Sequence, residues 1–91
     1  MTYQDLLSFL RSIAPAHVEI LQGDEDMVCA KDHEANSEVY IKYSGGLDFS
    51  LQGIRNGEKT DTKVYSFRNE NEMANVIPAK ILQLLDGERR I

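Results

Sequence analysis

Apolar residues near the start of the chain recur with the spacing of an amphipathic helix. They fall three or four positions apart: Tyr3, Leu6, Leu7, Leu10, Ile13 and Ala14. Thr2 followed by Asp5 resembles a capping box, which marks the start of a helix. The proline that follows ends the run, because the residue before a proline avoids helical backbone angles. The pattern predicts a helix over residues 3–14, with Leu6 and Leu10 at the centre of its buried face.

The middle of the chain changes to the two-residue period of β-strands. The alternation is clearest over residues 38–43, where it places Val39, Ile41 and Tyr43 inward and Tyr40 outward. The segments predicted as strands are 17–22, 27–31, 38–43, 47–52 and 62–68.

Short turns separate the predicted strands. Asn56-Gly57 is typical of a type I′ turn, which needs positive φ at both central residues, and Gly45-Gly46 predicts a second hairpin turn. Gly53 interrupts the alternation, so we expect a bulge or bend there. Because parallel strands need long crossovers, short turns predict antiparallel pairing.

The end of the chain is helical again in its spacing. Its apolar stripe consists of Met73, Val76, Ile77, Ile81, Leu84 and Leu85. Asn69 or Asn71 can cap the helix, and Gly87 favours its end. Pro78 predicts either a kink or a division into two helices. Together the elements predict one α+β domain over residues 1–91: an antiparallel meander of four to five strands, with an N-terminal and a C-terminal helix packed on one face as a two-layer sandwich.

Composition and charge bound what such a domain does. Its 91 residues suffice for one core, and the single cysteine and the absence of a long apolar run predict a cytoplasmic protein that does not enter a membrane. The net charge is −5. Residues 17–38 hold seven carboxylates and one lysine, a net charge of −6, so this segment accounts for the whole negative charge of the chain. This charge argues against direct nucleic-acid binding and favours a protein partner with a basic surface.

Catalytic and cofactor chemistry has little support in the sequence. Cys29 and His33 lie too far apart on a strand to share a metal, and Asp24-x-Asp26 lacks the glycine and glutamate of a calcium loop. Cys29, paired with either His17 or His33, is the available candidate for a catalytic thiol. The acidic residues near Cys29 are expected to raise its pKa and so to make it a poor nucleophile. No phosphate-binding glycine motif occurs. We therefore expect neither enzymatic activity nor a cofactor nor a metal.

The interpretation we favour is a small acidic, non-enzymatic protein-interaction module. Its more specific form is an inhibitor whose carboxylates stand where the phosphates of a nucleic acid would bind. In size and charge it is similar to small anti-defence proteins of phages, such as the anti-CRISPR proteins. The residues expected to contact the partner are Asp24, Glu25, Asp26, Asp32, Glu34 and Glu38, with Tyr40 as an aromatic anchor.

Two other functions stay open at this point. One is a weak nucleic-acid or small-ligand binder that uses the open sheet face through Tyr40, Lys42, Lys63 and Arg68. The other is a structural homodimer or a subunit of a complex, joined through an edge strand or the apolar stripe of the C-terminal helix.

Overall fold

One helix precedes the strands and one follows them. The computed structural model describes residues 2–24, 26–44 and 47–85. The elements are α1 (Tyr3–Ile13), β1 (Val18–Gln22), β2 (Met27–Asp32), β3 (Ser37–Tyr43), β4 (Asp48–Arg55), β5 (Glu58–Lys59), β6 (Lys63–Ser66) and α2 (Glu70–Leu85). This order confirms the predicted α+β class with terminal helices.

The strands form a single antiparallel sheet in the order β1-β2-β3-β4-β5, and β6 also pairs with β4. Asn56 and Gly57 have φ values of 52° and 84°, which confirms the turn predicted there. The strand after this turn differs from the prediction. The two residues of β5 pair with the end of β4, and β6 pairs with its beginning. The strand predicted over residues 62–68 is therefore the shorter β6, β5 is an additional strand that was not predicted, and the sheet has six strands.

Both helices pack on the same face of this sheet. Alternate residues of the strands point toward them, and one core results. The buried apolar residues are Leu6, Leu7, Leu10, Val18, Ile20, Val28, Ala30, Val39, Ile41, Tyr43, Phe49, Leu51, Met73, Ile77, Ile81 and Leu85. The burial of Leu6 and Leu10 confirms the face predicted for the first helix.

Side chains cap the starts of both helices. Thr2 Oγ1 accepts a hydrogen bond from the Asp5 N–H at 3.1 Å, and Asp5 Oδ2 accepts one from the Thr2 N–H, also at 3.1 Å, so the capping box is complete. Asn69 Oδ1 accepts from the Glu72 N–H at 2.9 Å. Helix α2 continues through Pro78 as one element, so of the two predicted alternatives the division into two helices is wrong.

The bulge or bend expected at Gly53 is absent on the β3 side of β4, but the pairing on the other side is offset there. Leu51 stands opposite Lys63 and Ile54 opposite Lys59, so two residues of β4 face three residues of the neighbouring segment. The pairing of β3 with β4 runs without interruption from Ser37 opposite Arg55 to Tyr43 opposite Phe49. Gly53 faces the helices, where Leu84 lies over it, and its N–H donates to Thr60 Oγ1 at 2.9 Å. The apparent break in alternation arises because a buried position on the helix side holds a glycine.

The turn predicted at Gly45-Gly46 and the helix end predicted at Gly87 lie outside the described residues.

Candidate interaction surface

The face of the sheet opposite the two helices carries the side chains that point away from the core. We call it the open face. Its residues follow from strand alternation and cross-strand register: Glu19, Leu21, Met27, Cys29, Lys31, Glu38, Tyr40, Lys42, Asp48, Ser50, Gln52, Ile54, Lys59, Val64 and Ser66. Neither α1 nor α2 covers this face, so it is the broad surface available for contact in the described structure.

Glu38 organises the centre of the open face. Its Oε1 accepts a hydrogen bond from the Tyr40 hydroxyl at 3.1 Å and a longer one from Cys29 Sγ at 3.8 Å. Its Oε2 lies 3.7 Å from Lys31 Nζ. Cys29 stands opposite Tyr40, and Lys31 opposite Glu38, on adjacent strands. One carboxylate therefore restrains the side chains around it, including the aromatic ring of Tyr40.

The same carboxylate affects the acidity of its neighbours. Burial, followed by the negative charge of Glu38, raises the pKa of the Cys29 thiol to about 11. The hydrogen bond to Glu38 raises the pKa of Tyr40 above its ordinary value. Both groups are therefore protonated at neutral pH. Because the thiolate is the nucleophilic form, Cys29 is poorly suited to covalent catalysis.

A shallow cleft of about 210 Å³ lies beside Tyr40 on the open face. It is lined by Met27, Tyr40, Lys42, Ser50, Gln52 and Thr62. A methionine, an aromatic ring and several hydrogen-bonding groups line the same depression. Such a mixture suits an inserted protein side chain, since interface cores favour aromatic residues and methionine.

The predicted acidic residues are distributed over different parts of the molecule. Asp24 and Asp26 lie in the turn before Met27, and the Asp26 carbonyl accepts a hydrogen bond from the Tyr43 N–H at 3.0 Å. Asp32 ends β2 and Glu34 lies in the turn that follows, about 17 Å away along this six-residue strand. The expected single surface of carboxylates therefore does not form. Glu25 lies outside the described residues.

Asp32 departs most from the predicted exposed surface, because it is only 4% exposed. Its Oδ1 accepts hydrogen bonds from the N–H groups of Glu34 and Ala35, at 2.9 and 3.0 Å, and its Oδ2 lies 3.9 Å from His17 Nε2. The two hydrogen bonds to backbone N–H groups stabilise the turn between β2 and β3. Asp32 therefore supports the fold, whereas Glu34 is exposed beside it.

The open face itself is of mixed charge. Three acidic and three basic side chains lie on it: Glu19, Glu38, Asp48, Lys31, Lys42 and Lys59. The basic and aromatic surface considered for nucleic acid is incomplete, because Lys63 pairs with the buried Leu51 and so points to the helix side. Arg68 follows the end of β6. Tyr40 and Lys42 alone of that set share the open face.

A larger groove of about 620 Å³ borders the β4–β5 turn and contains Arg55, Lys59 and Lys63. Arg55 Nη2 and Ser37 Oγ both donate to the carbonyl oxygen of Leu85, the last residue of α2. Ser37 and Arg55 stand opposite each other on β3 and β4. Together they supply donors to a carbonyl that has no partner within the helix, and the positive charge of the arginine complements the helix dipole. Sequence periodicity did not reveal this contact, because it joins residues far apart in the chain.

Two further observations concern the described residues only. They contain no group of three histidine, cysteine or acidic side chains placed to hold a metal ion. Neither of their helices has the length and apolar character needed to cross a membrane.

Comparison with protein-family models, curated proteins and solved structures gives no match to this chain. Its function is therefore inferred from its own residues.

Proposed function

We propose that this protein is a non-catalytic protein-interaction module whose contact surface is the open face around Tyr40. The observation that carries this proposal is the packing of both helices on one side of the sheet, which leaves Tyr40 and the adjoining cleft uncovered. Tyrosine is among the residues most often responsible for binding energy at interfaces. The hydrogen bond to Glu38 restrains the ring before binding and so lowers the entropy lost on association.

The partner that fits this surface is a protein with an apolar side chain near basic groups. The apolar side chain would enter the cleft between Met27 and Tyr40. Asp24 and Asp26, in the turn next to Met27, would meet the basic groups. A net charge of −5 would steer a basic partner toward the protein at low salt. The raised pKa of Cys29 supports a role without covalent catalysis.

An inhibitor that imitates a row of phosphates has less support than contact through the open face. Such imitation needs carboxylates on one surface, and Asp32 is buried while Glu38 lies beside Lys31. Binding of nucleic acid on the open face also has less support, because Lys63 points to the other side of the sheet. We retain the cytoplasm as the proposed location, where the free thiol of Cys29 stays reduced.

Capture of the partner from lysate of the native host tests the proposal. The full chain is the bait, compared with Tyr40→Ala and with a control, Gln83→Ala, which changes an exposed side chain on α2. We expect the wild type and the control to capture the same protein. Tyr40→Ala is expected not to capture this protein, and circular dichroism is used to verify that the variant is folded. Equal capture by Tyr40→Ala, or capture of no protein by the wild type, would overturn the proposal.

A further inference from the structure

Exposed apolar side chains concentrate around one edge of the sheet. In the described structure three large ones border β1: Ile13 is 44% exposed, Leu21 37% and Leu82 40%. Ile13 and Leu82 also flank an apolar groove. Its other residues are Leu10, Ala14, Pro15, Val18, Ile20, Pro78 and Ile81. Because free sheet edges are usually protected by charge, proline or a covering segment, an apolar edge indicates a contact surface.

No strand pairs with β1 on its outer side in the described structure. Just beyond the end of this strand the Gly23 N–H donates to the Met27 carbonyl at 3.0 Å. The backbone groups of the odd-numbered residues of β1 therefore bond to β2, and those of the even-numbered residues point outward. The Val18 N–H donates to the Pro15 carbonyl, and the Ile20 carbonyl accepts a long bond of 3.4 Å from Arg11 Nε. Within the described residues, the N–H groups of Ile20 and Gln22 have no partner.

We propose that two copies of this chain pair through β1, antiparallel, with Leu21 of one copy opposite Leu21 of the other. In this register Ile20 of each copy exchanges two hydrogen bonds with Gln22 of the other, which uses the free N–H groups. The two Leu21 side chains meet in the closely spaced type of cross-strand pair. The contact is two-fold symmetric, as in most dimers, and it joins two open faces into one surface.

Charge complementarity supports a second copy as the occupant. Arg11 lies beside Ile20 on the helix side of the edge. In the proposed register Gln22 of the second copy pairs with Ile20, so the turn that follows it would bring Asp24 toward this arginine, and the same contact would repeat by symmetry. The contact consists of one five-residue strand and a few side chains, which is small for a specific interface, since such interfaces bury at least about 1,000 Å² in total. We therefore expect a micromolar dimer.

Light scattering after size exclusion tests the dimer on the full chain. The wild type is expected at twice 10.3 kDa in the hundred-micromolar range and at lower mass on dilution. Leu21→Lys is expected to be monomeric. Val64→Lys is the matched control, because Val64 is also an exposed apolar strand residue, 71% exposed on β6. It is expected to dimerise like the wild type. A wild-type monomer in that range, or equal effects of the two lysines, would overturn the proposal.

The register has its own test. Arg11→Glu and Asp24→Lys alone are each expected to weaken the dimer, and the double variant is expected to restore it by exchanging the two charges. A double variant no stronger than either single one would contradict the Arg11–Asp24 contact and with it the register. The proposal does not depend on Tyr40, so a dimer that survives Tyr40→Ala distinguishes it from the proposed function.

Discussion

The hydroxyl of Tyr40 donates a hydrogen bond of 3.1 Å to Oε1 of Glu38, two residues earlier on the same strand. Both side chains point to the open face, and the same oxygen also accepts from the Cys29 thiol. Lys31 lies beside the other oxygen. A single carboxylate thus restrains the aromatic ring that we propose as the binding anchor and, after burial, contributes to the raised pKa of the neighbouring thiol.

The acidity of Cys29 depends partly on Glu38. Burial contributes most to a pKa of about 11, and the charge of Glu38 comes next. Glu38→Gln is therefore expected to lower the pKa of Cys29 while leaving it above 9.0, the ordinary value, because the burial remains. The alkylation rate of the thiol as a function of pH measures this pKa, with Glu34→Gln as the control. An unchanged alkylation profile in Glu38→Gln would contradict the contact.

The same thiol makes stability depend on pH in the alkaline range. The folded protein holds the proton up to a pKa of about 11, whereas the unfolded chain loses it near 9.0. The contribution of Cys29 to stability is therefore complete below pH 9 and is lost as the pH rises through 11. We expect the alkaline decrease in the free energy of unfolding to be smaller in Cys29→Ala than in the wild type. Urea denaturation at a series of pH values measures the difference.

Asp32 is expected to matter for stability rather than for binding. Asp32→Ala removes the acceptor of two backbone N–H groups and should lower the free energy of unfolding by about 2 kcal/mol. Asp32→Asn keeps an acceptor oxygen and should cost less. Glu34→Ala, at an exposed neighbour, should change stability by less than about 0.5 kcal/mol. Equal stability of Asp32→Ala and Glu34→Ala in urea would show that the buried carboxylate does not support the turn.

The type I′ turn gives a local test of the hairpin. Gly57 has a φ of 84°, so Gly57→Ala should lower the free energy of unfolding by about 1 kcal/mol. Asn56→Gly is the control, because glycine adopts the φ of 52° found at position 56 without steric cost. Thermal unfolding of the two variants compares them. A Gly57→Ala variant as stable as Asn56→Gly would contradict this turn geometry.

The sequence predicted the architecture better than the surface. Helical spacing identified the buried Leu6 and Leu10, and strand alternation placed Val39 inward and Tyr40 outward. These patterns are local and reflect which side of an element is buried. The burial of Asp32 and the capping of Leu85 by Ser37 and Arg55 depend on contacts between distant segments, which no local pattern reveals. Acidic residues close in sequence also became separated, because an intervening strand places them at opposite ends of the sheet.

The affinity of the captured partner for the wild type and for Tyr40→Ala tests the proposed function most directly. Titration calorimetry is expected to show at least a tenfold loss for Tyr40→Ala, about 1.4 kcal/mol or more, and no loss for Gln83→Ala. The double amide variant Asp24→Asn, Asp26→Asn should lose less, and its loss should shrink at high salt. Unchanged affinity of Tyr40→Ala would contradict the role of the open face.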